Sequence, residues 1–357
     1  MASDRLRDIK AFEDTKAGVK GLVDAGLTTI PAIFRHLPDT IPVDASRLAI
    51  PVIDLARITS HRAELVAELK AAAETAGFIH VVNHGVPGEV MSEMLAAVRG
   101  FNEEPAEARR PYHTRDTGRR VRYHSNYDLF RSPAANWRDT LVLDMAPTGP
   151  APEEIPPACR GVAVEFTREV QRLGGTLFEL LSEALGLHPG YLEQDAGCLE
   201  GLTVVGHYYP ASPQPQLTMG LARHTDPSIL TVLLQDSVGG LQVLFRDGEQ
   251  PVWVDVPAEP GALIVNVGDL LQLLSNDRFK SVEHRVVSKS VTSRVSVASF
   301  FRLHGAAAAA KVCAPIKELL VAGSSPPRYR SATEAELIDH YRDKAPDASS
   351  TLHHFRV

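Results

Sequence analysis

Between residues 202 and 303 the chain strings together seven short runs rich in β-branched and aromatic residues: LTVVGHYYP, SILTVLLQD, GLQVLF, VWVDV, ALIVNV, SVEHRVV and RVSVASFFRL. Gly, Pro and Asp punctuate them. Runs this short and this closely spaced predict the strands of an antiparallel double-sheet barrel. The second half of the chain is therefore a β-core.

The first half reads as helices with a few strands. SHRAELVAELKAAAETAG, residues 60–77, predicts an amphipathic helix: Ser60 is placed as N-cap, Leu65, Leu69, Ala72, Ala73 and Ala76 share one face, and Gly77 is the stop. AIPVIDL before it and FIHVVNHGVP after it predict strands, and Met91, Met94, Leu95 and Val98 mark a helix over 88–100. Beyond the Pro-rich APTGPAPEEIPPA, the stripe Phe166, Val170, Leu173, Leu177, Leu181, Leu185 predicts a long helix closed by Gly186 and packed as core. GAAAAA and SSPP then break the pattern, and a last helix begins at Thr333, whose spacing to Glu336 fits a capping box. Four regions result: an N-terminal helical extension (1–48), a helix-rich region (49–200), the β-core (201–305), and a C-terminal helix and tail (306–357).

At 357 residues, 44% hydrophobic and 23% charged, the chain has the composition of a compact globular protein. Its 37 basic and 44 acidic residues give −7, and no basic run is long enough to track a phosphate backbone, so nucleic acid is not expected as a partner. The cluster Arg115, Arg119, Arg120, Arg122 reads as a solvated loop. Cys159, Cys198 and Cys313 are too scattered for a disulfide framework or a zinc site and read as small buried residues of a reducing compartment. No secretory leader and no membrane-length apolar run is visible, which places the protein in the cytoplasm, away from membranes, as a monomer acting on a small molecule.

The chemistry starts at HTDP. His224 is followed two residues later by Asp226 at the entrance of the run Ile229–Leu234, which a buried strand does not need. His284 lies sixty residues on, where a sheet folding back could bring it opposite the pair. Two imidazoles and one carboxylate on one face of a metal are the set expected for non-haem iron(II) with open positions. In RVSVASF, Arg294 and Ser296 share a face by strand alternation. A guanidinium facing into a barrel needs an anion, and a fork plus a hydroxyl suits the carboxylate of a small diacid.

HTD at 224–226, His284 and RVS at 294–296, in that order, resemble the iron(II)- and 2-oxoglutarate-dependent dioxygenases of plants. NHG at 83–85, YYP at 208–210, GLQV at 240–243 and NVGDLLQLLSNDRFKSVEHRV at 266–286 carry the resemblance from about Ile50 to Leu303. The N-terminal DTKAGVKGLVDAGLTTIPAIF, NWRDT at 136–140 and the closing HHFRV are similar to the branch with benzoxazinone, desacetoxyvindoline and melatonin hydroxylases. The resemblance implies an α+β fold, a double-stranded β-helix (jelly-roll) core flanked by N-terminal and C-terminal helices. It implies iron on His224, Asp226 and His284, and 2-oxoglutarate with its distal carboxylate on Arg294 and Ser296. Tyr209 is a further co-substrate contact, and His207 stands where the family has Asn, as a substitute donor. Tyr123, Tyr127, Val205 and Phe300 are the positions implied for substrate. The implied reaction consumes O2, releases succinate and CO2 and hydroxylates a small aromatic or N-heterocyclic metabolite (indole-like, benzoxazinoid-like or alkaloid), with ascorbate supporting activity.

Three rival functions stand beside this one: a relative of aminocyclopropanecarboxylate oxidase that does not consume 2-oxoglutarate, a zinc hydrolase, and a non-catalytic barrel that only binds a small molecule. Arg294 and Ser296 would be idle in a hydrolase, and a receptor would not need three metal ligands. His84 reads as a structural loop residue, Asp269 as a turn residue, and His353 and His354 as non-ligands. Pocket shape is expected to depend on 102–140 and on the C-terminal segment.

Overall fold

The computed structural model describes residues 2–44, 50–247, 250–303, 311–320, 325–343 and 351–357. The GAAAAA segment lies outside the described residues. In chain order come α1 (Ala2–Thr15), α2 (Gly18–Asp24), β1 (Val52–Asp54), α3 (Arg62–Thr75), β2 (Phe78–Val82), α4 (Gly88–Glu103) and α5 (Ala106–Arg109). β3 (Val121–Ser125), β4 (Asp139–Ala146), α6 (Arg160–Ala184), β5 (Gly201–Tyr209), β6 (Met219–His224), β7 (Leu230–Gln235) and β8 (Leu241–Asp247) follow. The chain then forms β9 (Gln250–Asp255), β10 (Leu263–Val267), α7 (Asp269–Leu274), β11 (His284–Val287) and β12 (Arg294–Arg302). It closes with β13 (Val312–Cys313), β14 (Ala332–Thr333) and α8 (Glu334–Asp343).

Two sheets make the jelly roll. The larger runs β1-β2-β10-β7-β12-β5-β4-β3, the smaller β6-β11-β8-β9. β1 to β4 come from the first half of the chain, so the larger sheet draws on both halves. Its outer face is covered by α4 over β5, β7 and β12 and by α3 over β1 and β2, with α6 packed against both helices. The stripe of α6 is buried as its spacing predicts, and so is that of α3. Gly206 marks where α4 comes closest: a Cβ there would stand 2.7 Å from Val98 Cγ2, a contact only glycine avoids. Because strand side chains alternate, the neighbours of Gly206 on β5, Val205 and His207, face the opposite way, into the barrel.

A separate core forms at the N-terminal end, where Ile9, Phe12, Val19, Phe34 and Trp137 bury one another. Thr333 and Glu336 form the expected capping box: the Thr333 N–H donates to Glu336 Oε2 (2.6 Å) and the Glu336 N–H to Thr333 Oγ1 (3.1 Å). All three cysteines are free and buried. Among the described residues no helix is long and apolar enough to cross a membrane.

Candidate active site

His224 is the last residue of β6 and His284 the first of β11, and the two are register partners in the smaller sheet. The sequence placed His224 at the entrance of the Ile229–Leu234 strand; it instead ends a strand of its own, MGLARH, which the hydrophobic pattern did not mark. Pairing brings the imidazoles to a centroid separation of 4.1 Å. Asp226 follows in the loop, its Oδ1 3.5 Å from both His224 Nε2 and His284 Nε2. One ligand atom from each of the three lies within 4.8 Å of the others, the sole such group among the described residues.

The surroundings orient these groups. His224 Nδ1 donates to the Ala222 carbonyl (2.9 Å) and His284 Nδ1 to that of Val282 (3.2 Å), since a carbonyl can only accept. Both Nε2 atoms are thereby left as ligand lone pairs. Asp226 Oδ2 accepts from Thr231 Oγ1 (2.7 Å) and Asn266 Nδ2 (2.8 Å), which turns Oδ1 toward the imidazoles. Burial opposes the charge of Asp226, but the facing histidines outweigh it and hold the carboxyl well below the usual carboxylate range. Burial pushes His224 down, while at His284 burial is outweighed by Asp226, which pulls it up, so a metal ion on the two Nε2 atoms would take the place of a shared proton, and a buried, ionised carboxylate beside two imidazoles fits iron(II).

Asp269 does more than shape a turn. It is the buried first residue of α7: its N–H donates to the Asp226 carbonyl (2.8 Å) and its carboxylate accepts from Thr225 Oγ1 (3.0 Å), so it clamps the HTD loop. Thr231 and Asn266, which the sequence did not single out, are register partners on β7 and β10, and a site-facing polar pair on strands otherwise apolar was the available signal.

Across the barrel, β12 presents Arg294 and Ser296. The guanidinium is 2% exposed, donates to Ser296 Oγ (2.9 Å) and Gln235 Oε1 (2.8 Å), and lies over the Tyr209 ring at 4.9 Å. Among the described residues it has no carboxylate partner, and its Nε, itself buried, has no acceptor. Register places Tyr209 beside Arg294 and His207 beside Ser296. His207 is buried, its Nδ1 3.2 Å from Thr140 Oγ1, and burial followed by the charges of Arg138 and Arg294 pushes its pKa well down, leaving it neutral.

A cavity of about 630 Å³ opens on the metal ligands, large enough for a small substrate. Val205, Phe300 and Tyr127, three of the four positions that the resemblance implies for substrate, line the cavity, and so do segments from 115–144 and α8. Tyr123 does not: β3 alternation turns Arg122 and His124 inward and Tyr123 outward, where it is fully buried against Phe101 and accepts from Arg109 Nη1 (2.6 Å). The Arg115–Arg122 cluster is likewise more than a solvated loop. Arg115 grips Glu13 and two carbonyls, Arg122 pairs with Asp144 at 2.6 Å, and both line the cavity. His84 is structural, its Nε2 3.0 Å from the Gly261 carbonyl. His353 and His354 sit in a terminal turn outside the metal cluster, His354 stacked on His340.

A jelly roll holding two imidazoles, one buried and one half-buried, and a buried carboxylate around one point is the frame of a mononuclear non-haem oxygenase. Two family models match the chain: the 2OG-Fe(II) oxygenase superfamily over residues 201–303, and the non-haem dioxygenase in morphine synthesis N-terminal over residues 50–159. The 1-aminocyclopropane-1-carboxylate oxidase homolog 1 of Arabidopsis thaliana is 48% identical over 363 residues, covering 100% of this chain and 98% of that relative. Deacetoxyvindoline 4-hydroxylase of Catharanthus roseus is 45% identical over 366 residues, covering 99% and 90%. The crystal structure of JOX2 in complex with 2OG, Fe and JA superposes with a TM-score of 0.81 at 30% identity, covering 95% of this chain and 97% of that one. That of the rice dioxygenase for auxin oxidation gives 0.69 at 28%, covering 87% and 100%. The chain belongs to the iron(II)- and 2-oxoglutarate-dependent dioxygenases. It is an oxidoreductase, with iron(II) as cofactor and 2-oxoglutarate as co-substrate.

Proposed function

We propose that this dioxygenase hydroxylates a C–H bond of a small aromatic or N-heterocyclic plant metabolite, with iron on His224, Asp226 and His284 and the distal carboxylate of 2-oxoglutarate on Arg294, Ser296 and Tyr209. The observation that carries the reading is a pairing. A three-ligand cluster, two of its members buried, shares the barrel with a buried guanidinium whose partners are a hydroxyl and an amide, not a carboxylate. Such an arginine is costly to keep unless an anion completes it.

Iron(II), when bound, supplies the redox chemistry that divides O2 between two products: one oxygen atom enters the succinate left when 2-oxoglutarate loses CO2, and the other converts substrate C–H to C–OH. The chain's own residues do the positioning. Thr231 and Asn266 fix the Asp226 carboxylate, and Ser296 and Gln235 fix the fork of Arg294. His207 adds a neutral donor between Arg294 and the metal ligands. Val205, Phe300, Leu221 and Ile338 give the cavity apolar walls that orient a ring and exclude water, and Tyr127 stands at its edge. The similarity to deacetoxyvindoline 4-hydroxylase supports an alkaloid or related heterocycle.

The test is a screen of indoles, benzoxazinoids, flavonoids and alkaloids with purified protein, iron(II), ascorbate and 2-oxoglutarate. Gain of one oxygen atom, matched mole for mole by succinate, is the expected result. Oxidised product without succinate would instead favour an oxidase that leaves 2-oxoglutarate untouched.

A further inference from the structure

NWRDT holds a residue that the site described above does not use. Arg138 lines the cavity and is 9% exposed, yet its side chain makes no hydrogen bond or ion pair among the described residues, and its Nε is buried without an acceptor. Three other cavity arginines are partnered: Arg115 by Glu13, Arg122 by Asp144, and Arg131 by a partner of its own. Arg302, whose Nε is likewise buried without an acceptor, lies apart at the α8 end over the Phe300 ring, its charge acting on Glu334.

The backbone that carries Arg138 is fixed. Asn136 Oδ1 accepts from the Ala222 N–H and the Trp137 N–H donates to the Met219 carbonyl, both at 2.7 Å, so this segment is stitched to the strand ending in His224. Its two neighbours are spent on the other side: Trp137 is fully buried in the N-terminal core, and Asp139 accepts from the N–H groups of Val19 and Lys20, both at 2.8 Å. Arg138 alone is left for the cavity. Its charge acts on His207 and His224, which places it on the metal side. With Arg115 and Arg122, and on top of burial, it also pushes His124 down to about 3, so the histidine on that wall is neutral.

We infer that Arg138 is the anchor for an anionic group, a carboxylate in the first instance, on the substrate that is hydroxylated. This rests on the dioxygenase reading of the same site. Within that reading both ends of 2-oxoglutarate are already provided for, the distal carboxylate by Arg294 and Ser296 and the keto-acid end by the metal. A second buried guanidinium, Arg138, then has no partner until a second anion enters. The apolar wall of Val142, Val205, Leu221 and Phe300 would take the body of such an acid, which the arginine would fix at one end. Arg138 is a specificity-determining residue in this account.

The test uses full-length protein loaded with Mn(II) and 2-oxoglutarate, so that binding is read without turnover. Phenylacetate and indole-3-acetate are compared with their methyl esters by calorimetry, on wild type, Arg138→Gln and Arg138→Lys. Wild type should bind acids over esters by roughly ten- to a hundredfold, the worth of a charge-assisted bond. Arg138→Gln should lose the preference with ester binding unchanged, and Arg138→Lys should keep part of it. The affinity for 2-oxoglutarate, titrated on the same proteins, should stay within about twofold. Acids bound no better than esters by wild type, or a preference that survives in Arg138→Gln, would overturn the inference. So would a loss confined to 2-oxoglutarate, which would give Arg138 to the co-substrate. Failure of wild type to bind 2-oxoglutarate would count instead against the dioxygenase site itself.

Discussion

Asp226 can serve a metal well only if one oxygen is held still, and two neutral side chains do that. Thr231 Oγ1 and Asn266 Nδ2 donate to Oδ2 at 2.7 and 2.8 Å, while Oδ1 stands equidistant, 3.5 Å, from the two Nε2 atoms. Thr231→Val removes one donor almost isosterically, and Asn266→Ala removes the other. A hydrogen bond to a charged group contributes about 1.5–3 kcal/mol, and loss of a partner behind a ligand typically weakens metal binding ten- to a hundredfold. In each single variant the remaining donor still holds Oδ2, so each should lose about tenfold. Losing both should cost more than the sum, because the carboxylate then rotates and its burial is no longer offset. The assay is anaerobic iron(II) titration of wild type, both singles and the double, with circular dichroism to check the fold. A double variant that is folded and binds iron within twofold of wild type would refute the reasoning.

Three further outcomes follow from the same geometry. Arg294→Ala should raise the 2-oxoglutarate concentration needed for half-maximal succinate formation by roughly ten- to a hundredfold, with Arg294→Lys between, because an ammonium lacks the planar fork; an unchanged requirement would move the co-substrate elsewhere. His207→Asn should keep most of the 2-oxoglutarate affinity while His207→Ala loses about 1 kcal/mol, as one ordinary hydrogen bond would give, and identical behaviour of the two would leave His207 as packing. Burial pushes the Glu334 carboxyl from its ordinary 4.5 up to about 7, so the folded state keeps a proton that the unfolded chain releases. Stability contributed by this group is full below about pH 4.5 and falls as pH rises through 7; Glu334→Gln should therefore raise the unfolding free energy at pH 8, by up to on the order of 3 kcal/mol and with it the melting temperature, and leave both unchanged at pH 4.

What the sequence shows and what it hides divide along physical lines. The stripes of α3, α4 and α6 and the long strands β5, β7 and β12 are legible because one burial face repeats at a fixed period. His224, Asp226 and His284 are legible because polar groups stood out among apolar runs. β6 is not: MGLARH is half-buried and polar because its faces meet a loop and the cavity. β3 and β4 read as part of a long loop for the same reason, since their inner face carries Arg122, His124, Thr140 and Asp144. Tyr123 was misplaced by one step of strand alternation, which reverses the face. Arg138, Asp269 and Asn266 carry roles that depend on what folding brings opposite them, and no local pattern encodes that.

The most direct test of the account is a crystal structure with iron(II) and 2-oxoglutarate, grown without oxygen, with an anomalous difference map at the iron edge. The expected result is one strong peak contacted by His224 Nε2, Asp226 Oδ1 and His284 Nε2, with the distal carboxylate of the diacid on Arg294 and Ser296 and Arg138 free of it. A peak elsewhere, or a diacid whose distal carboxylate sits on Arg138, would contradict the assignment of the site.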